Sequence, residues 1–266
     1  MNRPIVSVIT VTFNAEKVVE KTILSVIGQT CAKLEYLIID GASKDGTLEI
    51  INRYRDRIER CGRIVNEPDK GLYDAMNKGV RMASGEWILF LNADDVFVNN
   101  DTVADVVAFI EKHPEADVVY GNTEQILEHG VYTLRSEEPY KDHKITFCHQ
   151  SVFVRRNILL THPFDLKYRF AADYEQLSSF FLEGRRFMHI DRTVARMELR
   201  SGTTFDNEIA SANELYDIIA SRGIDIESER RRIIRHKKAI RAFKRAVPAF
   251  IAKPFLRMAA KVHKPL

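Results

Sequence analysis

The chain is expected to fold as an α/β protein, a mostly parallel sheet with helices on both faces, followed by a basic helical tail. Three observations predict this. Short apolar runs alternate with stretches of helical periodicity, the pattern of parallel strands joined by crossover helices. Several runs, notably 5–12, 35–39 and 87–91, are apolar almost throughout rather than alternating, as befits strands buried on both faces. Finally, charge is divided along the chain. Residues 228–266 hold 13 Lys/Arg and one acid, Glu229, for +12, whereas residues 1–227 carry −9.

The elements follow in order. Strand 5–12 leads into a helix over about 15–28, with Asn14 as its N-cap. Strand 35–39 leads into helix 46–58, with Asp45 as the cap before Gly46. Strand 62–66 leads into helix 72–83, and strand 87–91 follows. Helix 102–112, strand 117–121 and a hairpin near 123–135, turning at Glu128-His129-Gly130, come next. After Pro139 the elements are mixed: strand 150–154, helix 173–184, strand 187–198 and helix 207–221. Internal repeats and low-complexity linkers are absent from the sequence.

A chain of 266 residues with 45% hydrophobic content suits one large α/β domain with an appendage. The boundaries expected are 1–227 for the domain, in halves 1–125 and 126–227, and 228–266 for the tail. Three cysteines, Cys31, Cys61 and Cys148, lack metal-type spacing and read as reduced thiols. A basic-plus-apolar leader is not evident, and no apolar run approaches the ~18 residues needed to span a bilayer. These features predict a protein retained in the cytoplasm.

Four segments carry chemistry. Ile5-Val6-Ser7-Val8-Ile9-Thr10-Val11-Thr12-Phe13-Asn14 is a strand ending in a polar pair. Tyr36-Leu37-Ile38-Ile39-Asp40-Gly41-Ala42-Ser43-Lys44-Asp45-Gly46-Thr47 runs from a strand into an acidic, glycine-containing turn. Residues 67–79, from Glu67-Pro68-Asp69-Lys70-Gly71 onward, form a turn that opens a helix. Gly85-Glu86-Trp87-Ile88-Leu89-Phe90-Leu91-Asn92-Ala93-Asp94-Asp95 delivers two aspartates at the C-terminal end of a strand, where ligands bind in open α/β sheets. In this order and spacing, across about 125 residues, the four resemble the nucleotide-sugar half of family 2 glycosyltransferases, inverting enzymes of the Rossmann-like GT-A fold.

The resemblance implies roles. Thr10 and Thr12 stand where that family holds the nucleobase, and Asp40 where it accepts hydrogen bonds from the nucleotide. Asp40 also reads as a turn-forming residue in an Asp-Gly sequence. Asp69 and Lys70 precede a helix N-terminus, which favours anions; Lys70 either approaches the nucleotide or is solvated. Asp74 shares a helix face with Asn77 and Lys78, and in similar enzymes that face looks into the donor site.

Asp94 and Asp95 match the family's metal motif, with Asn92 where many relatives have Asp. Asp95 is the expected ligand of Mn²⁺ or Mg²⁺, and Asp94 lies near the ribose or shares the ion. A hard cation bridging two phosphates neutralises charge on a departing diphosphate. Read alone, the pair is equally an exposed turn before the next helix.

The second half should serve the acceptor. His149, in Phe147-Cys148-His149-Gln150-Ser151, meets the metal, the diphosphate or the acceptor, or is simply structural. Asp173, in Arg169-Phe170-Ala171-Ala172-Asp173-Tyr174-Glu175, matches the position of the family's general base, although Ala172 replaces the first acid of the usual pair. Inversion needs one base to take the acceptor hydroxyl proton. The same residue also reads as an N-cap, and the two roles are compatible. The 196–204 loop is similar in position to the family's loop over the diphosphate, which implies that Arg200 or Ser201 touches phosphate; the other reading is a solvated loop.

In the tail, Ile233, Ile240, Phe243, Val247 and Phe250 recur at helical steps among Arg232, Arg235, Lys238, Arg241, Lys244 and Arg245, interrupted by Pro248 and Pro254. A basic amphipathic stretch of this kind lies on anionic membranes. Packing on the body or between subunits is the competing reading, and nucleic acid ranks last. Together these features imply an inverting transferase that moves a sugar from a nucleotide diphosphate sugar, a UDP-sugar first, to a lipid-linked oligosaccharide at the inner membrane face in surface polysaccharide synthesis. The alternatives are a metal-dependent nucleotidyltransferase, which would normally show a Gly-rich basic loop after the first strand, and a catalytically silent sugar- or lipid-binding scaffold.

Overall fold

The computed structural model describes residues 4–127, 130–135, 138–198 and 207–246, the last with side chains to residue 242. Its first half is β1 (Val6–Thr12), α1 (Val19–Ile27), β2 (Leu34–Asp40), α2 (Thr47–Arg53), α3 (Arg55–Glu59), β3 (Gly62–Asn66), α4 (Leu72–Met82) and β4 (Trp87–Phe90). There follow β5 (Val96–Phe97), α5 (Thr102–Lys112), β6 (Val118–Leu127), β7 (Gly130–Leu134), the hairpin β8 (Tyr140–Lys141) and β9 (Lys144–Ile145), a 3₁₀ turn at His149–Ser151, and β10 (Val152–Arg155). The described chain closes with α6 (Arg156–Thr161), α7 (Ala172–Leu182), β11 (Phe187–Glu198), α8 (Glu208–Ser221) and α9 (Glu227–Ala246).

The main sheet has the order β3-β2-β1-β4-β10-β6-β11-β5, with β7 paired to β6. Strands β3, β2, β1 and β4 are mutually parallel, and β11 runs parallel to β6. Strands β10, β5 and β7 run against their neighbours. Side-chain alternation divides the core in two. Val6, Val8, Tyr36, Ile38, Trp87 and Leu89 face one layer, with α1, α2, α3 and α5. Ile9, Val11, Leu37, Ile39, Ile88 and Phe90 face the other, with α4, α6 and α7. This two-sided burial explains why these strands read as continuous apolar runs. Each fully buried side chain of this size contributes about 1.5–3 kcal/mol. A third, smaller cluster, Tyr216, Ile219 and Ile226 with Ile233 against it, joins α9 to α8.

Several boundaries differ from expectation. Asn14 is not the cap of α1: it has φ 50°, and α1 starts only at Val19 after a turn closed by Ala15. Its side chain instead accepts the Lys44 N–H at 2.8 Å and so ties the β1 end to the β2 turn. The expected helix 46–58 breaks at Tyr54, whose hydroxyl donates to Glu20 at 2.8 Å. The formal cap of α2 is Gly46, but Asp45 accepts from the Thr47 N–H at 3.0 Å and performs the capping chemistry. Strands β5, β8 and β9 and helix α6 are additions. Among the described residues, no helix is long and apolar enough to cross a membrane.

Candidate active site

The acidic turn is built by β4 and propped by α1. Leu91 still pairs with β1, its N–H donating to Ile9 O at 3.0 Å, and the turn closes when the Asp95 N–H donates to Asn92 O at 3.1 Å. Asp94 sits at φ 92°, a conformation costly for a residue with a Cβ and typical of functional turns. Buried Thr22 holds it there: its hydroxyl accepts from the Asp94 N–H at 3.1 Å and donates to Asp95 O at 2.8 Å. The Asp94 carboxylate pairs with the Lys21 ammonium. Asp95 is only 6% exposed. Burial pushes its carboxyl up to about 7, Asp94 adds to the rise, and the His149 charge and a Gln150 hydrogen bond oppose it.

From the first turn of α7, far along the chain, Asp173 enters the same place. Its Oδ2 lies 2.9 Å from His149 Nδ1, and its Oδ1 accepts from the Tyr73 hydroxyl at 3.0 Å. The other ring nitrogen, His149 Nε2, lies 3.2 Å from Asn92 Nδ2. With Nδ1–H donating to Asp173, Nε2 accepts from the Asn92 amide. One imidazole thus joins the acidic turn of β4 to the first turn of α7. Burial alone would raise the Asp173 carboxyl, but the hydrogen bond and charge of His149, with Tyr73 and the Tyr174 N–H, hold it below its usual value. Burial opposes protonation of His149, yet Asp173 and Asp95 outweigh it and raise the imidazole. The Oδ1 of Asn92 is buried without a partner, an acceptor turned into this cluster.

The N-cap reading of Asp173 is corrected. Helix α7 is capped at Ala171, which offers no side-chain bond. The N–H groups of the turn before α7 are taken by Glu214 of α8, which accepts from Arg169 at 2.8 Å, Phe170 at 2.6 Å and Ala171 at 2.7 Å.

The residues expected at the donor are distributed unequally. Thr12 donates to Asp40 at 2.8 Å, and Asp40 also accepts from the Ser43 N–H at 2.9 Å and hydroxyl at 2.6 Å. Asp40 is fully buried and shapes the turn after β2 from within. Thr10 lies beneath the site: it has no exposed surface, donates to Leu91 O at 2.8 Å and accepts from Tyr36 at 3.2 Å. Asn77 is turned away, exchanging two bonds of 2.9 Å with the backbone of Phe164. Asp74 accepts the Lys70 N–H at 2.9 Å and braces the loop, while the Lys70 side chain stays exposed. Asp69 accepts the Gly71 N–H at 2.8 Å. Gly71 has φ 118°, which favours glycine. Arg200 lies outside the described residues.

Sequence reasoning passed over Phe13, Lys21, Thr22, Tyr73 and Glu214. Phe13 has a readable signal, an aromatic directly after a buried strand. It is 63% exposed. A Cβ on Gly41 would meet Phe13 at 3.4 Å and Asp69 Oδ2 at 2.3 Å, so ring, glycine and carboxylate form one tight rim. Tyr73 and Glu214 reach Asp173 and its turn from far along the chain, and nothing local marks them.

No three His, Cys, Asp or Glu side chains converge on one point among the described residues. The acidic turn therefore offers one or two carboxylate oxygens. That fits a hard divalent cation sharing its shell with phosphates and water, and does not fit a site closed by protein. The elevated Asp95 carboxyl points the same way, because this buried acid lacks a full counter-charge.

The sheet carries acidic side chains at the carboxyl ends of its parallel strands, where open α/β sheets bind ligands, with a carboxylate from α7 joined to them through His149. Residues 7–172 match the family described as Glycosyl transferase family 2, and the chain belongs to that family. The match ends one residue before Asp173. A PGL/p-HBAD biosynthesis glycosyltransferase of Mycobacterium bovis is 37% identical over 176 residues, 66% of this chain and 69% of its own. Among solved structures, the mannosyltransferase PcManGT of Pyrobaculum calidifontis, in complex with GDP-Man and Mn²⁺, superposes with a TM-score of 0.67 at 19% identity, covering 100% of this chain and 82% of that one. S. aureus TarS 1-349 in complex with UDP-GlcNAc gives 0.64 at 24% identity, covering 80% of this chain; this chain spans only 64% of that one. Both structures carry the fold expected from the four segments.

Proposed function

We propose that this protein transfers a sugar from a nucleotide diphosphate sugar, a UDP-sugar in the first instance, to a lipid-linked oligosaccharide in surface polysaccharide synthesis, with inversion at the anomeric carbon. The observation that carries the reading is the Asp173–His149–Asn92 connection, which sets a polarised carboxylate opposite an acidic turn. Asp95, with Asp94 beside it, would hold Mn²⁺ or Mg²⁺. When bound, such a cation neutralises charge on the diphosphate leaving group. Phe13 offers a ring for the nucleobase, with Asp69 at its edge. Asp173 takes the proton of the acceptor hydroxyl as that oxygen bonds to the anomeric carbon and the bond to the diphosphate breaks. The two Asp173 oxygens together accept from Tyr73, His149 and the Tyr174 N–H, and a carboxylate with about four acceptor sites keeps one for the acceptor. The lowered carboxyl stays ionised, and a weak base suffices because the hydroxyl becomes acidic only as the new bond forms.

Membrane contact at the inner face is the second part of the proposal, with one change of mechanism. The apolar stripe of the tail does not face outward at its start: Ile233 packs against the Tyr216, Ile219 and Ile226 cluster. The outward positions of α9 are Arg231, Arg232, Arg235, Lys238 and Arg241, all exposed. Attraction of these cations to anionic lipid replaces apolar insertion over this segment. Phe243, Val247 and Phe250 lie outside the described side chains.

The deciding experiment is a thermal-shift panel of UDP, GDP and other nucleoside diphosphates with and without Mn²⁺. A ligand at 100 times its dissociation constant adds about 2.7 kcal/mol of stability. One nucleotide that stabilises only with the cation supports the reading; no shift with any nucleotide overturns it.

A further inference from the structure

The turn that presents Asp173 has no cap of its own. Residues 169–171, the turn just before α7, direct three N–H groups to one acceptor, and Ala171 at the N-cap position makes no side-chain bond. One carboxylate takes all three at 2.6–2.8 Å, and it comes from the middle of α8. Asp173 is two residues further on. Its two oxygens are already fixed by Tyr73 and His149, so any shift of the 169–171 turn changes those two bonds as well.

Glu214 does not stand on a free helix. The next turns of α8 carry Tyr216 and Ile219, which pack with Ile226 and Ile233 at the start of α9. Glu229 of α9 accepts from the Tyr216 hydroxyl at 3.2 Å and pairs with Lys144 of β9 at 2.8 Å. Arg230 reaches back to Asp217 at 2.7 Å. We infer that Glu214 is a positioning residue for the transfer reaction: it sets the catalytic turn from outside, and the α8–α9 pair holds it in register. This rests on the glycosyltransferase reading and assigns the helical tail a task inside the active site, separate from any lipid contact. The geometry also supplies an internal control. Arg156 of α6 donates to Val80 O at 3.0 Å and Arg81 O at 3.2 Å, and so ties α6 to the far end of α4, with no bond to Glu214 or to the turn of Asp173.

The test compares full-length parent, Glu214→Gln, Glu214→Asp and Arg156→Gln. Nucleoside diphosphate release is measured from the donor chosen by the nucleotide panel, with UDP-GlcNAc and GDP-mannose as first probes. Amide hydrogen exchange at 169–171 and Tm are measured alongside. Misplacing a catalytic group by about 1 Å costs on the order of 100-fold. Glu214→Gln should therefore lower kcat by roughly 10–100-fold with KM for the donor within twofold and Tm nearly unchanged, while exchange at 169–171 accelerates. Arg156→Gln should lower Tm and keep kcat. Accelerated exchange with parental kcat makes Glu214 a structural tie and overturns the inference. Equal kcat loss in both variants, following Tm, overturns it too. If Glu214→Gln does not fold, Glu214→Asp decides: it keeps the charge, withdraws it by one methylene, and should still lose kcat at constant KM. A parent enzyme that releases no nucleotide from any donor would instead sink the glycosyltransferase reading, a result distinguishable from an active parent with a silent variant.

Discussion

His149 Nδ1 lies 2.9 Å from Asp173 Oδ2, and the same ring reaches Asn92 with its other nitrogen. A carboxylate fixed in this way has one orientation, and a base needs that to meet a hydroxyl in line with a leaving group. Asp173→Asn keeps the size and removes the basic oxygen. Loss of a general base costs about 10²–10⁴ in rate. Donor binding, followed by calorimetry, should survive. Since Glu214 still holds the 169–171 turn, the start of α7 should keep its place as well. Turnover within a few-fold of the parent would move the base elsewhere.

The pair also predicts a pH profile. The Asp173 carboxyl lies below its ordinary 3.8, so its contribution is full above that value and is lost as pH falls through the lower, folded one. The His149 imidazole lies above 6.5, so its contribution is full below 6.5 and fades as pH rises through the folded value. Both apparent values belong to the pair. In His149→Asn, burial of Asp173 meets less opposition, and the acid limb of kcat/KM should move upward. A limb that stays in place would remove His149 from the control of Asp173.

How much of this was legible depends on chain distance. The strands β1, β2 and β4 were found within a residue or two because burial on both faces writes apolar runs into the sequence. The two-residue strands β5, β8 and β9 leave too few positions for any period. Helical spacing correctly put Asp74, Asn77 and Lys78 on neighbouring positions, but spacing cannot say what lies opposite. Asn77 meets Phe164, and Lys78 meets Pro68 and Glu67. Thr10 was read from its place in a motif, whereas its alternation along β1 buries it in the core. Tyr73 and Asp173 are 100 residues apart and Glu214 lies 43–45 residues beyond its partners. Such contacts are made by the fold and have no local mark.

The acidic turn predicts an order of effects. Asp94 already has the Lys21 ammonium, while burial elevates the Asp95 carboxyl against the opposing charge of His149. Asp95→Ala should abolish Mn²⁺-dependent binding of nucleoside diphosphate, and Asp94→Asn should weaken it less. Equal affinity with and without Mn²⁺ in the parent, or unchanged dependence in Asp95→Ala, contradicts the assignment.

Phe13 exposes 63% of its surface beside Gly41 and Asp69. Stacking of a base on an aromatic ring is worth about 1–3 kcal/mol. Phe13→Ala should therefore weaken the selected nucleotide about 5–150-fold with Tm unchanged, since little buried surface is lost. Gly41→Ala should weaken it too, by driving Asp69 from the rim. Parental affinity in both variants would place the base elsewhere.

The tail prediction follows from which side of α9 is free. Truncation after Ser228 would remove Glu229 and Ile233 and uncover the Tyr216 cluster, so loss of lipid binding and loss of stability would be mixed. Charge reversal on the outer face separates them. Arg235 and Lys238 are exposed, and no ion pair engages either among the described residues. Each basic group near an anionic surface contributes about 1 kcal/mol, so Arg235→Glu with Lys238→Glu should cost about 2 kcal/mol or more, roughly 25-fold in partitioning to phosphatidylglycerol vesicles. The attraction is screened over about 8 Å at physiological salt, and parental binding should fall as salt rises. Tm and nucleotide binding should stay at parental values, because Glu214 and the α8–α9 contacts are untouched. Transfer to a lipid-linked acceptor should fall more than transfer to a soluble one. Equal sedimentation of the parent and the doubly reversed protein would confine the role of α9 to holding Glu214 against the catalytic turn.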